Sequence, residues 1–200
     1  MCGLAIAACD PVAVDPEPRA AEHDGATTPA AAAPRLQQAP VIGGELVVRE
    51  IQWPSASEVD AELRDRLPRD ALDRVDAAPL PVLIPPDPLD DIVVVTGEHW
   101  YSFRGDRDGI TIVVQGSGLA RVFPGMRGAT GEQLVRGRPA FVSVNEGIRH
   151  AAWIEHGVAY SVEIECADQQ APQCADSAAI TQLAEQLELV GGVALTEAAR

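Results

Sequence analysis

The sequence predicts an α+β fold, an antiparallel meander sheet with helices packed on one face. Three observations carry that prediction. Between Asp91 and Cys166 the apolar residues recur with a period of two in seven short runs. Nearly every run closes on Gly or on an Asn-Glu-Gly turn signal. Segments with a helical period precede the runs and follow them, so helices are available to cover an apolar sheet face.

In chain order, "GGELVVREIQWP" reads as a strand ending at Trp53. In "SASEVDAELRDRLPRDALDRVDAAP", Val59, Leu63 and Leu67 recur at four-residue spacing, and Ser55 or Ser57 can cap the first turn. Pro68 divides this stretch into two short helices, because a proline inside a helix removes a hydrogen bond and clashes with the preceding turn. "LPVLIPPDP" is a short apolar run bounded by prolines, which suits an edge strand. The seven runs follow: "DIVVVTG", "HWYSFRG", "GITIVVQG", "GLARVFPG", "PAFVSVNEG", "IRHAAWIEHG" and "VAYSVEIEC". In the last, Val158, Tyr160, Val162 and Ile164 point to one face while Ser161, Glu163 and Glu165 point to the other, so one face is expected to be wet. "DSAAITQLAEQLELVGG" then places Ile180, Leu183, Ala184 and Leu187 on one helical stripe. Asp176 or Ser177 can cap it and Gly191 can end it, leaving "VALTEAAR" as a frayed tail.

The chain divides accordingly into a lipobox segment 1–9, a tether 10–42, one α+β domain 43–192 and a flexible tail 193–200. Two hundred residues with 46% apolar content suffice for one core. Thirty acidic against fifteen basic residues give a net charge of -15, which repels nucleic acid and anionic lipid. No run is apolar for the eighteen or so residues that a membrane-spanning helix needs.

Ile6-Ala7-Ala8-Cys9 resembles the bacterial lipobox, in which a branched aliphatic residue and two small residues precede the cysteine that receives a diacylglycerol. The resemblance implies a lipid on Cys9 and a periplasmic domain anchored to the inner or outer membrane. Eight residues precede Cys9, fewer than a basic region and an apolar region of roughly 7 to 15 residues require. The alternative is a plain apolar tail with Cys2 and Cys9 as stray thiols. Residues 10–40 replace hydrophobic periodicity with alanine, proline and charge, as a disordered tether would. Asp10 stands where, in enteric bacteria, an aspartate favours retention in the inner membrane.

Cys166 and Cys174, with seven residues between them in a polar, proline-containing loop, read as a local disulfide of an oxidising compartment. A metal or redox pair is the competing reading, although it usually wants Cys-x-x-Cys or further ligands nearby. "AAWIEHGVAYSVEIEC" with the helix and Gly-Gly after it is similar to the closing segment of small extracytoplasmic domains of bacterial lipoproteins and envelope-stress regulators. That resemblance implies a non-catalytic envelope domain.

Trp100, Tyr101, Trp153 and Tyr160 form a candidate ligand surface, since aromatic side chains anchor such sites. The alternative puts Tyr101 and Phe103 in the core and Trp100 against its strand neighbours. His150 and His156, if one strand carries both, share a face about 20 Å apart, too far for one metal ion. Ser117, between two glycines, lacks the spacing of a nucleophile elbow and reads as a turn residue. Arg104, Asp106, Arg107 and Asp108 form a charged, solvated turn. No metal, cofactor or catalytic residue is expected. The function expected is that of a non-enzymatic envelope lipoprotein whose domain binds a protein or envelope component. The alternatives are a periplasmic hydrolase with a histidine general base and a structural spacer without ligand.

Overall fold

The computed structural model describes residues 44–171, 174 and 178–198. The lipobox and Cys9, the tether, and the caps assigned to Asp176 and Ser177 lie outside the described residues. In chain order the elements are β1 (Glu45–Val48), a 3-10 turn (Ala56–Glu58), α1 (Ala61–Asp65), α2 (Arg69–Asp76), β2 (Val82–Ile84), β3 (Asp90–Gly97), β4 (Trp100–Arg107) and β5 (Ile110–Ser117). There follow β6 (Leu119–Val122), β7 (Gln133–Val135), β8 (Arg138–Asn145), β9 (Ile148–Glu155), β10 (Val158–Cys166), α3 (Ala178–Gln186), β11 (Glu188–Gly191) and α4 (Val193–Ala198).

The centre is a seven-stranded antiparallel sheet in the order β3-β4-β5-β10-β9-β8-β7. It is two meanders joined by the β5–β10 pair rather than the single meander expected. Two-residue turns make the hairpins. Asp108-Gly109, Arg136-Gly137, Glu146-Gly147 and His156-Gly157 all have positive φ at both positions, the backbone that matches the right-handed twist of the strands. The sequence run around "LARV" leaves the sheet. At Gly118 the chain bends away, its N–H bonded to His99 O and its carbonyl accepting from the Arg49 amide, and β6 pairs with β1 instead. β1 therefore ends at Val48, five residues before Trp53.

The α-helical region follows the expected break at Pro68, with Ser55 capping the 3-10 turn through a capping box and Asp60 capping α1. β2, flanked by prolines, pairs only with β11 and is buried throughout. α3 ends at Gln186, earlier than Gly191, because the chain straightens to pair Glu188 and Leu189 with Ile84 and Leu83. The expected tail at 193–198 is helical. Leu195 is buried, and Thr196 Oγ1 donates to Asp76 Oδ1 and to Gly192 O.

The alternation read in β10 holds: Val158, Tyr160, Val162 and Ile164 are buried while Ser161, Glu163 and Glu165 are not. The buried face also receives Tyr101, Phe103, Ile112, Val114 and Trp153. Two tyrosines tie it to the β2 layer. Tyr101 Oη accepts from Leu83 N at 2.9 Å and donates to Leu83 O, and Tyr160 Oη donates to Pro81 O at 2.9 Å. Burial pushes both phenols well above the usual tyrosine range. α2 runs beside β3, and α3 beside β7, β9 and β10.

Candidate functional site

The second face of the sheet is where the molecule meets solvent. Strand register sets two rows of outward residues side by side. The first is Gly97, Trp100, Ser117, Ala159 and Ile154; the second is Val95, Ser102, Gln115, Ser161, Ala152 and Phe141. Neither row contains a charge. With strands about 4.8 Å apart the band is roughly 24 Å long. Two residues further along each strand, in the row that also holds His150, Arg104 and Glu163 bring charge back. Val95, Trp100, Phe141 and Ile154 in the band are 42 to 50% exposed, so large apolar groups stand in water there.

At the β8–β10 end of the band a cleft of about 360 Å³ opens, lined by Pro139, Phe141, Ala152, Ile154 and Ala159 from the sheet and by Ala129 to Gly131 from the connection that precedes β7. Small residues at 152 and 159 leave the space and large ones at 141 and 154 wall it. The sequence reading missed this site, although "MRGATG", which no strand or helix period claims, was its one visible sign.

The candidate aromatic surface is not assembled as expected. Tyr101, Trp153 and Tyr160 are at most 3% exposed, with Trp153 and Tyr160 stacked at 5.6 Å between ring centres, and they belong to the core. Strand alternation explains it: Trp100 and Tyr101 are neighbours and must face opposite ways, and only Trp100 faces outward. Trp153 and Tyr160 do border the cleft from below.

The histidines are separated by the topology. β9 ends at Glu155, so His156 sits in a hairpin turn and not on the strand of His150, which corrects the geometry expected of that pair. His156 Nε2 lies 3.6 Å from Glu155 Oε1, and His99 Nε2 lies 3.5 Å from Glu98 Oε1. A histidine general base of a hydrolase acts on a nucleophile that is either a side chain or a water. Ser117 Oγ accepts the Leu119 amide at 3.2 Å. Among the described residues no three His, Cys, Asp or Glu side chains converge as a metal site would need.

Glu155 anchors a half-buried network on the same edge. Its Oε2 accepts from Arg136 Nε at 2.8 Å and from Trp153 Nε1 at 3.1 Å, while Arg136 Nη1 donates to Leu187 O at 2.7 Å. The network ties the β7–β8 turn to β9 and to the end of α3. Cys166 and Cys174 are joined by a disulfide, which links the end of β10 to the chain leading into α3, and Arg149 Nε donates to Cys174 O. Among the described residues no helix is long and apolar enough to cross a membrane. Comparison with known families, with curated proteins and with solved structures finds no match to this chain.

Proposed function

We propose that this chain is a non-enzymatic envelope lipoprotein. A lipid on Cys9 anchors it to the inner or outer membrane, residues 10–42 tether it, and the domain from residue 43 presents its outer sheet face to a protein or envelope component in the periplasm. The observation that carries the binding part is the uncharged, partly apolar band from Val95 to Phe141, in a chain of net charge -15. The lipobox-like Ile6–Cys9 and a disulfide, which suits an oxidising compartment, support the location. We extend the reading to the helices: with α2 beside β3 and α3 beside β9 and β10, they cover the buried face and leave the band free.

Expression from the native locus with its upstream DNA, beside Cys9→Ser, tests the location. Wild type is expected to begin at an acylated Cys9 and to sediment with membranes, and Cys9→Ser to be released. A soluble wild type that retains residues 1–8 would overturn the anchor. A photo-cross-linking residue at Ser102 or Ser161 tests the surface. It is expected to capture a specific partner in cells that the same group at Asp70 on α2 does not; equal capture at all three sites would count against the band.

A further inference from the structure

A strand edge invites a further strand, and most edges in this molecule are guarded. β3, at one end of the seven-stranded sheet, begins with Asp90 and Asp91, breaks register between Asp90 and Val93, and has α2 beside it. β7, at the other end, is three residues long. The β2–β11 pair is buried except at Glu188, and β6 runs near β10. β1 is the exception. It pairs with β6 alone, in unbroken register from Glu45↔Val122 to Val48↔Leu119, and Arg49 N continues the ladder by donating to Gly118 O at 2.7 Å. Residues 45, 47 and 49 therefore turn their backbone groups to β6, while the amides and carbonyls of Leu46 and Val48 point to the opposite edge. Among the described residues no backbone group bonds to them there. Leu46 and Val48 are 56% and 62% exposed, and Glu45 to Arg49 holds no proline, bulge or lysine that would discourage a newcomer. A two-stranded ribbon is marginal in water, and further strands stabilise it.

The residues of β1 specify what this edge suits. In an antiparallel pair of two such strands centred on Val47, Leu46 of one copy opposes Val48 of the other, so the backbone groups of the two open edges meet and bond. In the same register Glu45 opposes Arg49 at both ends, and neither has an ion-pair partner among the described residues of its own chain. We propose that two copies of this chain pair through β1, antiparallel about a two-fold axis at Val47, and so form a four-stranded sheet in the order β6-β1-β1-β6. Sliding the register by two residues either way keeps the backbone bonds but breaks both Glu–Arg pairs. An unrelated extended peptide would make the backbone bonds without those pairs, so the self-complementary strand selects a second copy. The edge lies apart from the outer sheet face, and the inference is independent of that face and of the anchor at Cys9.

Sedimentation equilibrium tests it in about 0.15 M salt, which screens the net charge of -15. The sample is the full chain with Cys2→Ser and Cys9→Ser, so that those thiols cannot join copies by themselves. A concentration-dependent dimer is expected, and a chain that stays monomeric to about 1 mM would overturn the proposal. Glu45→Arg and Arg49→Glu are each expected to weaken the dimer about tenfold, because each sets two like-charged pairs across the axis. The two reversals together are expected to restore the affinity. Dimerisation unchanged by either single reversal, or a double variant no tighter than the singles, would overturn the proposal. Val48→Pro, which removes an amide from the open edge, is expected to leave only monomer; if that variant melts early, the charge reversals decide. Cysteine cross-linking in the same background reads the register. Val47→Cys is expected to join copies faster than Leu46→Cys, although Leu46 is the more exposed, because residue 47 alone meets itself across the axis. The opposite order would overturn the proposed pairing.

Discussion

On one face of the seven-stranded sheet Tyr101, Phe103, Val114, Trp153, Tyr160 and Val162 are at most 3% exposed, whereas on the other Val95, Trp100, Phe141 and Ile154 are 42 to 50% exposed. Strands β4 and β9 supply members of both sets from adjacent positions, Trp100 beside Tyr101 and Trp153 beside Ile154. On the buried side every large group has a partner, down to the phenol hydroxyls on Leu83 and Pro81. On the outer side apolar groups stand beside serines and alanines beneath a connection, the one that precedes β7, that does not fill the space. The difference teaches that aromatic content alone does not mark a binding surface. The aromatic-rich face is the structural one, and the face of small residues is the one available to a ligand.

Substitutions sharpen the contrast, beginning with the core. Phe103→Ala is expected to lower unfolding free energy by about 3–5 kcal/mol, because Phe103 is wholly enclosed, and denaturant titration followed by circular dichroism reads the loss. Replacing Cys166 and Cys174 together by serine is expected to cost about 2–3 kcal/mol, the chain-entropy value for so short a loop, read in the same titration.

Alkaline pH isolates the two tyrosines. The chain holds two in all, Tyr101 and Tyr160, so phenolate absorbance reports on the buried face alone. Their folded pKa values lie above the unfolded value of about 10. The native state therefore keeps protons that the unfolded state loses. The stability is fully present below about pH 10 and falls above it, by up to about 1.4 kcal/mol per pH unit for each tyrosine. Phenolate absorbance is expected to appear only together with unfolding. A gradual rise in the still-folded protein would break the account of this face.

At the edge between the faces, Glu155→Gln keeps the shape and removes the charge that holds Arg136. With both partners partly in contact with water, a loss of about 1–2 kcal/mol in thermal or denaturant unfolding is expected. The smallest effect belongs to the outer face. Phe141→Ala is expected to change stability by no more than about 0.5 kcal/mol, the range of surface substitutions.

Much of this was legible locally. The two-residue period gave the strands 90–117 and 138–166, the Asp-Gly, Glu-Gly and His-Gly pairs marked their turns, and Pro68 marked the break between helices. What was not legible depends on distant partners. Leu119 to Val122 has the composition of a sheet strand, yet Gly118 turns it toward β1, a pairing that no local pattern announces. The short β7 was missed because three residues carry no period, and with it the connection that leads into β7. The alternation of Trp100 and Tyr101 was readable, but which of them faces the core is decided by the layer of β2 and β11 packed from elsewhere in the chain.

Hydroxyl-radical footprinting, read residue by residue by mass spectrometry, tests most directly the claim that one face is core and the other a binding surface. Purified protein is compared with protein on native membranes. The account predicts that Trp100, Met126 and Phe141 are oxidised in the purified chain while Tyr101, Trp153 and Tyr160 are spared, and that Trp100 and Phe141 become protected on membranes where the partner is present. Oxidation of the tyrosines in the folded protein, or equal labelling of Trp100 and Phe141 in both preparations, would contradict it.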